Sequence, residues 1–202
     1  IMHKILPNLN IEKSYKNTTK GYICGIDEVG RGCLAGPVVS AAVILNFDKI
    51  PDGINDSKKI SKIKRSIISN NIKKYALDIG IGEASSQEID EFNILNASLL
   101  SMKRAFESLK KHTGLALIDG IYSPNINCKT INIIKGDTKS LSIAAASIIA
   151  KEYRDAFMNK LGLIYPKYNF KNNVGYGTKE HYKIIRSDGI TSYHRKTFKL
   201  LK

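Results

Sequence analysis

The sequence has no tryptophan, 3 cysteines and 5 prolines in 202 residues, and little acid, with 18 Asp and Glu against 32 Lys and Arg. Each shortage excludes something. Cys24, Cys33 and Cys128 are odd in number and lack the paired close spacing of zinc ligands, so they read as reduced, semi-buried side chains. The few prolines, beside 15 glycines and 43% hydrophobic residues, exclude collagen-like and disordered chains. No apolar run approaches the roughly 20 residues of a membrane helix, and Ile1-Met2-His3-Lys4 leads into no signal-peptide core. The expectation is a cytoplasmic protein with no membrane partner. A chain of this length buries roughly 70% of the surface its unfolded form exposes, enough for one core without staples. Its formal charge of +14 favours a polyanionic partner, because neutralising phosphates releases their counterions. A basic coat on an ordinary surface would carry the same charge.

Residues 1–20 are polar and irregular and read as a loosely held arm with one turn of helix. Segments 22–27 and 37–45 read as two strands of a hairpin around a glycine-rich turn, with a third strand at 77–83. Ile63, Ile67, Ile68 and Ile72 make one apolar stripe on a basic helix over 61–76. Ser85 and Glu88 form a capping box that opens a long helix, or two with a bend near Asn93. Short strands are expected at 115–119 and 130–134, a helix with a small-residue stretch at 142–161, and a short helix near 178–186. Three meandering strands followed by alternating helix and strand predict a mixed α/β sheet covered by helices.

The strongest local signal is the run from Gly25 to Pro37. Asp27 and Glu28 are adjacent carboxylates at the end of an apolar strand, a costly pairing unless a cation binds them. An isolated Asp-Glu pair is usually a surface feature, but here Gly30-Arg31-Gly32 follows at once. Its missing side chains let backbone approach a ligand, and Arg31 can fork onto a phosphate. Gly30, Gly32 and Ala35 also fit the dinucleotide pattern G-x-G-x-x-A, but that pattern needs a helix where Val38 to Ile44 predict a strand. Asp119 and Asp137 stand at the ends of two further strands. Singly each reads as a turn residue beside a glycine. Together with Asp27 and Glu28 they make an all-oxygen set suited to Mg²⁺ or Mn²⁺. His3, His112, His181 and His194 are too scattered to suggest zinc. Cationic flanks around a magnesium-type centre suit metal-assisted attack on one phosphodiester.

From Tyr22 to Phe198 the chain resembles the ribonuclease HII (type 2 ribonuclease H) family. The resemblance rests on Ile26 to Gly32 with Leu34-Ala35-Gly36-Pro37, then Asn55-Asp56-Ser57-Lys58-Lys59, Glu88 to Ile94, Ile118-Asp119-Gly120, Lys135-Gly136-Asp137 and Ile143 to Lys151. Gly175-Tyr176-Gly177-Thr178 with His181, and His194-Arg195 with Phe198, complete the series. It implies an RNase H-like fold with a five-stranded mixed sheet over residues 21–165 and a helical extension over 166–202. It further implies metal-binding and catalytic roles for Asp27, Glu28, Asp119 and Asp137. The backbone of Gly30-Arg31-Gly32, with Tyr176, is implied to recognise a ribonucleotide at an RNA–DNA junction, and Ser57 and Lys58 to lie near the substrate backbone. Two ions roughly 4 Å apart would then drive an in-line displacement leaving 3′-hydroxyl and 5′-phosphate ends. The implied substrates are RNA/DNA hybrids and duplex DNA with embedded ribonucleotides, the implied role is removal of RNA primers and misincorporated ribonucleotides, and the protein reads as a monomer. Asn173-Val174 depart from the family's usual His-Lys, removing one cation near the substrate, and Ile121-Tyr122 replace a more polar pair. Residues 197–202 show no sliding-clamp peptide.

Overall fold

β2 (Val38–Ile44) is made of valine, alanine, isoleucine and one serine, and all seven residues are buried. Such a strand needs cover on both faces. In the computed structural model, which describes residues 6–200, it lies inside a five-stranded sheet of order β3-β2-β1-β4-β5. β1 (Tyr22–Val29) pairs antiparallel with β2, which pairs antiparallel with β3 (Asp78–Ala84). On the other side β1 runs parallel with β4 (Thr113–Asp119), and β4 with β5 (Lys129–Ile133).

Two helical layers supply the cover. Val39, Ala41 and Val43 pack against α2 (Lys62–Tyr75) and the Ala144 to Ala150 stretch of α4 (Leu141–Ile164), as α1 (Asn10–Lys16) packs nearer the β4 side. Ala42 and Ile44, on the opposite face, meet Met102 and Ala105 of α3 (Ser86–Glu107). The alternation is the two-residue period of a strand read directly from the sequence. Close approach of α4 to the central strand depends on Gly25, since a Cβ there would collide with the backbone of Ser142 and Ile143. Fully buried Ile72 and Ile148 lie in this layer, and each such side chain contributes about 1.5–3 kcal/mol by leaving water.

A third cluster lies beyond the end of β1. There α5 (Phe170–Asn173), α6 (Lys179–Asp188) and the tail pack Phe170, Ile185 and Phe198 around Leu34, Ala35 and Met158. Among the described residues no helix is long and apolar enough to cross a membrane.

The capping box at Ser85 and Glu88 and the break at Asn93, with φ 65°, are where the sequence puts them. Other expectations change. The arm is docked over its helix, because buried Glu12 accepts from the Ser140 hydroxyl at 2.6 Å and the Ser142 N–H at 2.9 Å; residues 1–5 lie outside the described residues, as do 201–202 of the tail. β1 continues to Val29, so Asp27 and Glu28 lie inside it. Asp137 sits in a 3-10 turn, Gly136–Thr138, beyond the end of β5, because Lys135 at φ 55° turns the chain out of the sheet.

Candidate active site

Parallel pairing places the acids. Ile26 of β1 lies opposite Ile118 of β4, so Asp27 and Asp119 follow side by side at the same edge of the sheet. Asp119 in turn lies opposite Ile133 of β5, and the turn after β5 brings Asp137 back toward it. The Gly136 N–H donates to Asp119 Oδ1 at 2.6 Å, which fixes that return.

One cleft of about 310 Å³ is lined by Asp27, Glu28, Asp119 and Asp137 together with Ser57, Lys58 and Tyr176. Sequence reasoning did not single out Ser147 and Lys151, which also line it from α4. Ser147 stands beside the Asp27 carboxyl and draws its pKa down, and its hydroxyl is 2.9 Å from that of Ser57. Lys151 lies one helical turn further along the same face, held by Asp155 at 2.7 Å. Arg31 stands at the rim and reaches Glu28 at 3.2 Å. Glu28, Arg31 and Asp119 also border an adjoining groove with Ile121 and Tyr122.

The acids repel one another in a dry place. Burial pushes the Asp27 carboxyl well above the usual carboxylate range, and the charges of Glu28, Asp119 and Asp137 push it further. Burial also raises Glu28, against the pull of Arg31, and raises Asp137, against Lys58 and Lys59. Among the described residues no three His, Cys, Asp or Glu side chains already close around a point, so the carboxylates line the cleft without converging on its centre. Their charges raise one another's pKa, and a divalent cation would relieve that repulsion. The donor set, four carboxylates and no imidazole or thiolate, fits Mg²⁺ or Mn²⁺.

The glycine turn is held from behind by two buried arginines. Arg195 donates to the carbonyls of Gly30 at 2.6 Å and Arg31 at 2.8 Å, and to Gly36 at 2.9 and 3.1 Å. Arg154 takes those of Pro37, Val174 and Ala35 at 2.9, 2.8 and 3.1 Å. Gly30, at φ 94°, presses against Arg154 and has no room for a Cβ. Gly32 differs. It is exposed, its φ is ordinary, and a Cβ there would meet nothing within 4 Å.

Tyr176 is 42% exposed at the cleft wall, and its carbonyl lies 2.8 Å from His181 Nδ1. The Nε2 atoms of His181 and His194 are 3.0 Å apart, and the Thr191 N–H donates to His194 Nδ1 at 2.9 Å. A carbonyl accepts and an N–H donates, so His194 carries its proton on Nε2 and His181 on Nδ1, with both rings neutral. Burial lowers His194 to about 4, with His181 adding to the effect, and lowers His181 as well. The sequence places these histidines near one another in the chain without showing what they do.

A five-stranded mixed sheet with helices on both faces and carboxylates side by side on its central parallel strands is the ribonuclease H class of fold. The solved ribonuclease H2 from Pyrococcus horikoshii OT3 superposes with a TM-score of 0.73 over 88% of this chain and 94% of that one, at 24% identity. Bst-RNase HIII, solved in complex with Mn²⁺, superposes with a TM-score of 0.70 over 89% of this chain and 67% of that one, at 19% identity. More specifically, the family model for ribonuclease HII matches residues 24–201. The chain belongs to the ribonuclease HII family and is a ribonuclease H, an endoribonuclease. It is 50% identical over 194 residues to the ribonuclease HII of Clostridioides difficile, covering 96% of this chain and 74% of that protein.

Proposed function

We propose that the enzyme hydrolyses the RNA strand of RNA/DNA hybrids and cuts duplex DNA on the 5′ side of single embedded ribonucleotides, leaving 3′-hydroxyl and 5′-phosphate ends. The observation that carries this reading is Gly32. Nothing in the fold requires a glycine there, and its bare, exposed backbone leaves room for a group that approaches from outside. It lies five residues from Asp27, and a 2′-hydroxyl is the group a bare N–H can tell from deoxyribose.

Asp27, Glu28, Asp119 and Asp137 would hold two divalent ions, Mg²⁺ or Mn²⁺. Bound there, the metals supply positive charge for the strained phosphate and a water of lowered pKa. Ser147 orients the Asp27 carboxylate, and the pair of serine hydroxyls ties it to the loop of Ser57 and Lys58. Lys58 and Lys151 face the cleft with positive charge suited to flanking phosphates. The Arg31 and Gly32 N–H groups orient the 2′-oxygen, and the Tyr176 ring packs against the neighbouring sugar so that the junction is read. The role that follows is removal of RNA primers and misincorporated ribonucleotides in the cytoplasm.

End-labelled duplexes bearing one ribonucleotide, an RNA tract or none, incubated with Mg²⁺ or Mn²⁺, test the reading. It requires cutting of the first two only. Cutting of RNA tracts alone would remove junction reading, and equal cutting of all three would remove the assignment.

A further inference from the structure

We infer that Arg195 is a positioning residue for recognition of the 2′-hydroxyl: by drawing the Gly30 and Arg31 carbonyls into the protein, it aims the Arg31 and Gly32 N–H groups at the cleft. This inference rests on the function proposed above and deepens it.

A peptide unit is planar and trans, so its C=O and N–H point in opposite directions. The Gly30 carbonyl belongs to the same unit as the Arg31 N–H, and the Arg31 carbonyl to the same unit as the Gly32 N–H. Arg195 holds both carbonyls, at 2.6 and 2.8 Å. Their partner N–H groups therefore face away from it, on the side where Gly32 lies exposed. Among the described residues neither N–H donates to any protein acceptor. Two consecutive unpaired donors on a bare turn form a receptor for an oxygen.

The support is rigid. Arg195 is fully buried, its backbone N–H donates to the Leu34 carbonyl at 2.9 Å, and the Phe198 ring lies 5.1 Å from the guanidinium carbon. Among the described residues no carboxylate pairs with it; its side-chain hydrogen bonds go to main-chain carbonyls. A buried charge without a counter-ion is costly for the fold, and a planar fork spanning two adjacent carbonyls cannot be reproduced by an ammonium. Burial lowers its pKa to about 10, which leaves it charged at neutral pH.

The preceding residue supports Tyr176, because His194 reaches the Tyr176 carbonyl through His181. One dipeptide thus holds both the glycine turn and the backbone of Tyr176.

The test compares duplexes carrying a single ribose or a single 2′-fluoro-2′-deoxyribose, measured with Mg²⁺ as kcat and KM separately, alongside the Kd for all-DNA duplex. Fluorine is a poor acceptor, so the ribose-to-fluoro ratio of kcat/KM reports the N–H contacts. Arg195→Lys is expected to shrink that ratio about tenfold, the worth of a well-placed hydrogen bond, with the loss in kcat and duplex Kd within about twofold. Millimolar guanidinium should restore the ratio in Arg195→Ala, and ammonium should not. Phe198→Leu, which keeps the guanidinium and loosens its ring contact, should shrink the ratio about threefold, and it carries the test if the Arg195 variants fail to fold. Met158→Ala, a cavity in the same cluster, should lower the melting temperature and leave the ratio unchanged. A wild-type ratio in Arg195→Lys or Phe198→Leu, or an equal change in Met158→Ala, would overturn the inference. Failure of the wild type to cut the ribose duplex would instead overturn the proposed function.

Discussion

Asp119 Oδ1 accepts the Gly136 N–H at 2.6 Å, so the carboxylate at the end of β4 also holds the turn that presents Asp137. One oxygen is committed to the fold and the other is left for the cleft. The two acids are therefore positioned as a unit, and changes at Asp119 divide into a charge effect and a structural one.

Asp119→Asn keeps an oxygen that can accept from Gly136, while Asp119→Ala does not. Both should lose cleavage by about a hundredfold or more, at or beyond the upper range for groups that merely support metal ligands. Only Asp119→Ala should also lose about 1 kcal/mol of stability, roughly 2–4 °C in a chain of this size. Thermal melts beside single-turnover assays decide it, and Asp119→Asn activity within tenfold of wild type would remove Asp119 from the site.

The strand and helix order, the capping box, the break at Asn93 and the gathering of four acids were legible because each depends on local pattern: period-two apolar runs, Ser85 three residues before Glu88, and carboxylates next to glycines. The supports of the site were not. Arg154 and Arg195 look like surface cations in a chain with 32 of them, and only the folded chain shows them spent mostly on carbonyls more than a hundred residues away. Ser147 sits in an ordinary-looking helical stretch, and its contact with Ser57 depends on how α4 crosses the sheet. Asp137 was placed by its neighbours in sequence, but the left-handed Lys135 that takes it out of the sheet has no strong local signal.

Acid should destabilise the protein through His194. Unfolded histidine takes up a proton near pH 6.5, and the folded residue only near 4. Between those values the unfolded state binds more protons, so stability falls as pH falls, by on the order of 3 kcal/mol for this residue over the full window. Asp27, raised in the fold, acts with the opposite sign, so the comparison must be a difference. Urea midpoints at pH 7.5 and 5 should diverge more for wild type than for His194→Asn. Equal divergence would contradict the neutral histidine chain.

Val174 holds a left-handed conformation at φ 43° and ψ 32°, costly for a β-branched residue. Asparagine accepts that region more readily. Val174→Asn should therefore stabilise the loop that carries Tyr176 by about 1 kcal/mol, seen as a rise of roughly 2–4 °C in melting temperature. A fall would mean that the packing of Val174 in the C-terminal cluster outweighs its strain.

The +14 charge should appear as salt dependence. If about six phosphates are contacted, log K for duplex should fall with log salt at a slope near −5. The measurement uses Asp119→Asn to prevent cutting, and a slope near zero would leave most of the charge without a part in binding.

Gly32→Ala isolates the contact with the 2′-hydroxyl, because the fold leaves room for the added methyl and only a substrate would object. The variant should melt at or slightly above the wild-type temperature, since alanine restricts the unfolded chain. Its single-turnover cleavage of a duplex with one embedded ribonucleotide should fall by about a hundredfold, as expected when a reacting group is displaced by about 1 Å. Wild-type cleavage by a stably folded Gly32→Ala would contradict the claim that this turn reads the 2′-hydroxyl.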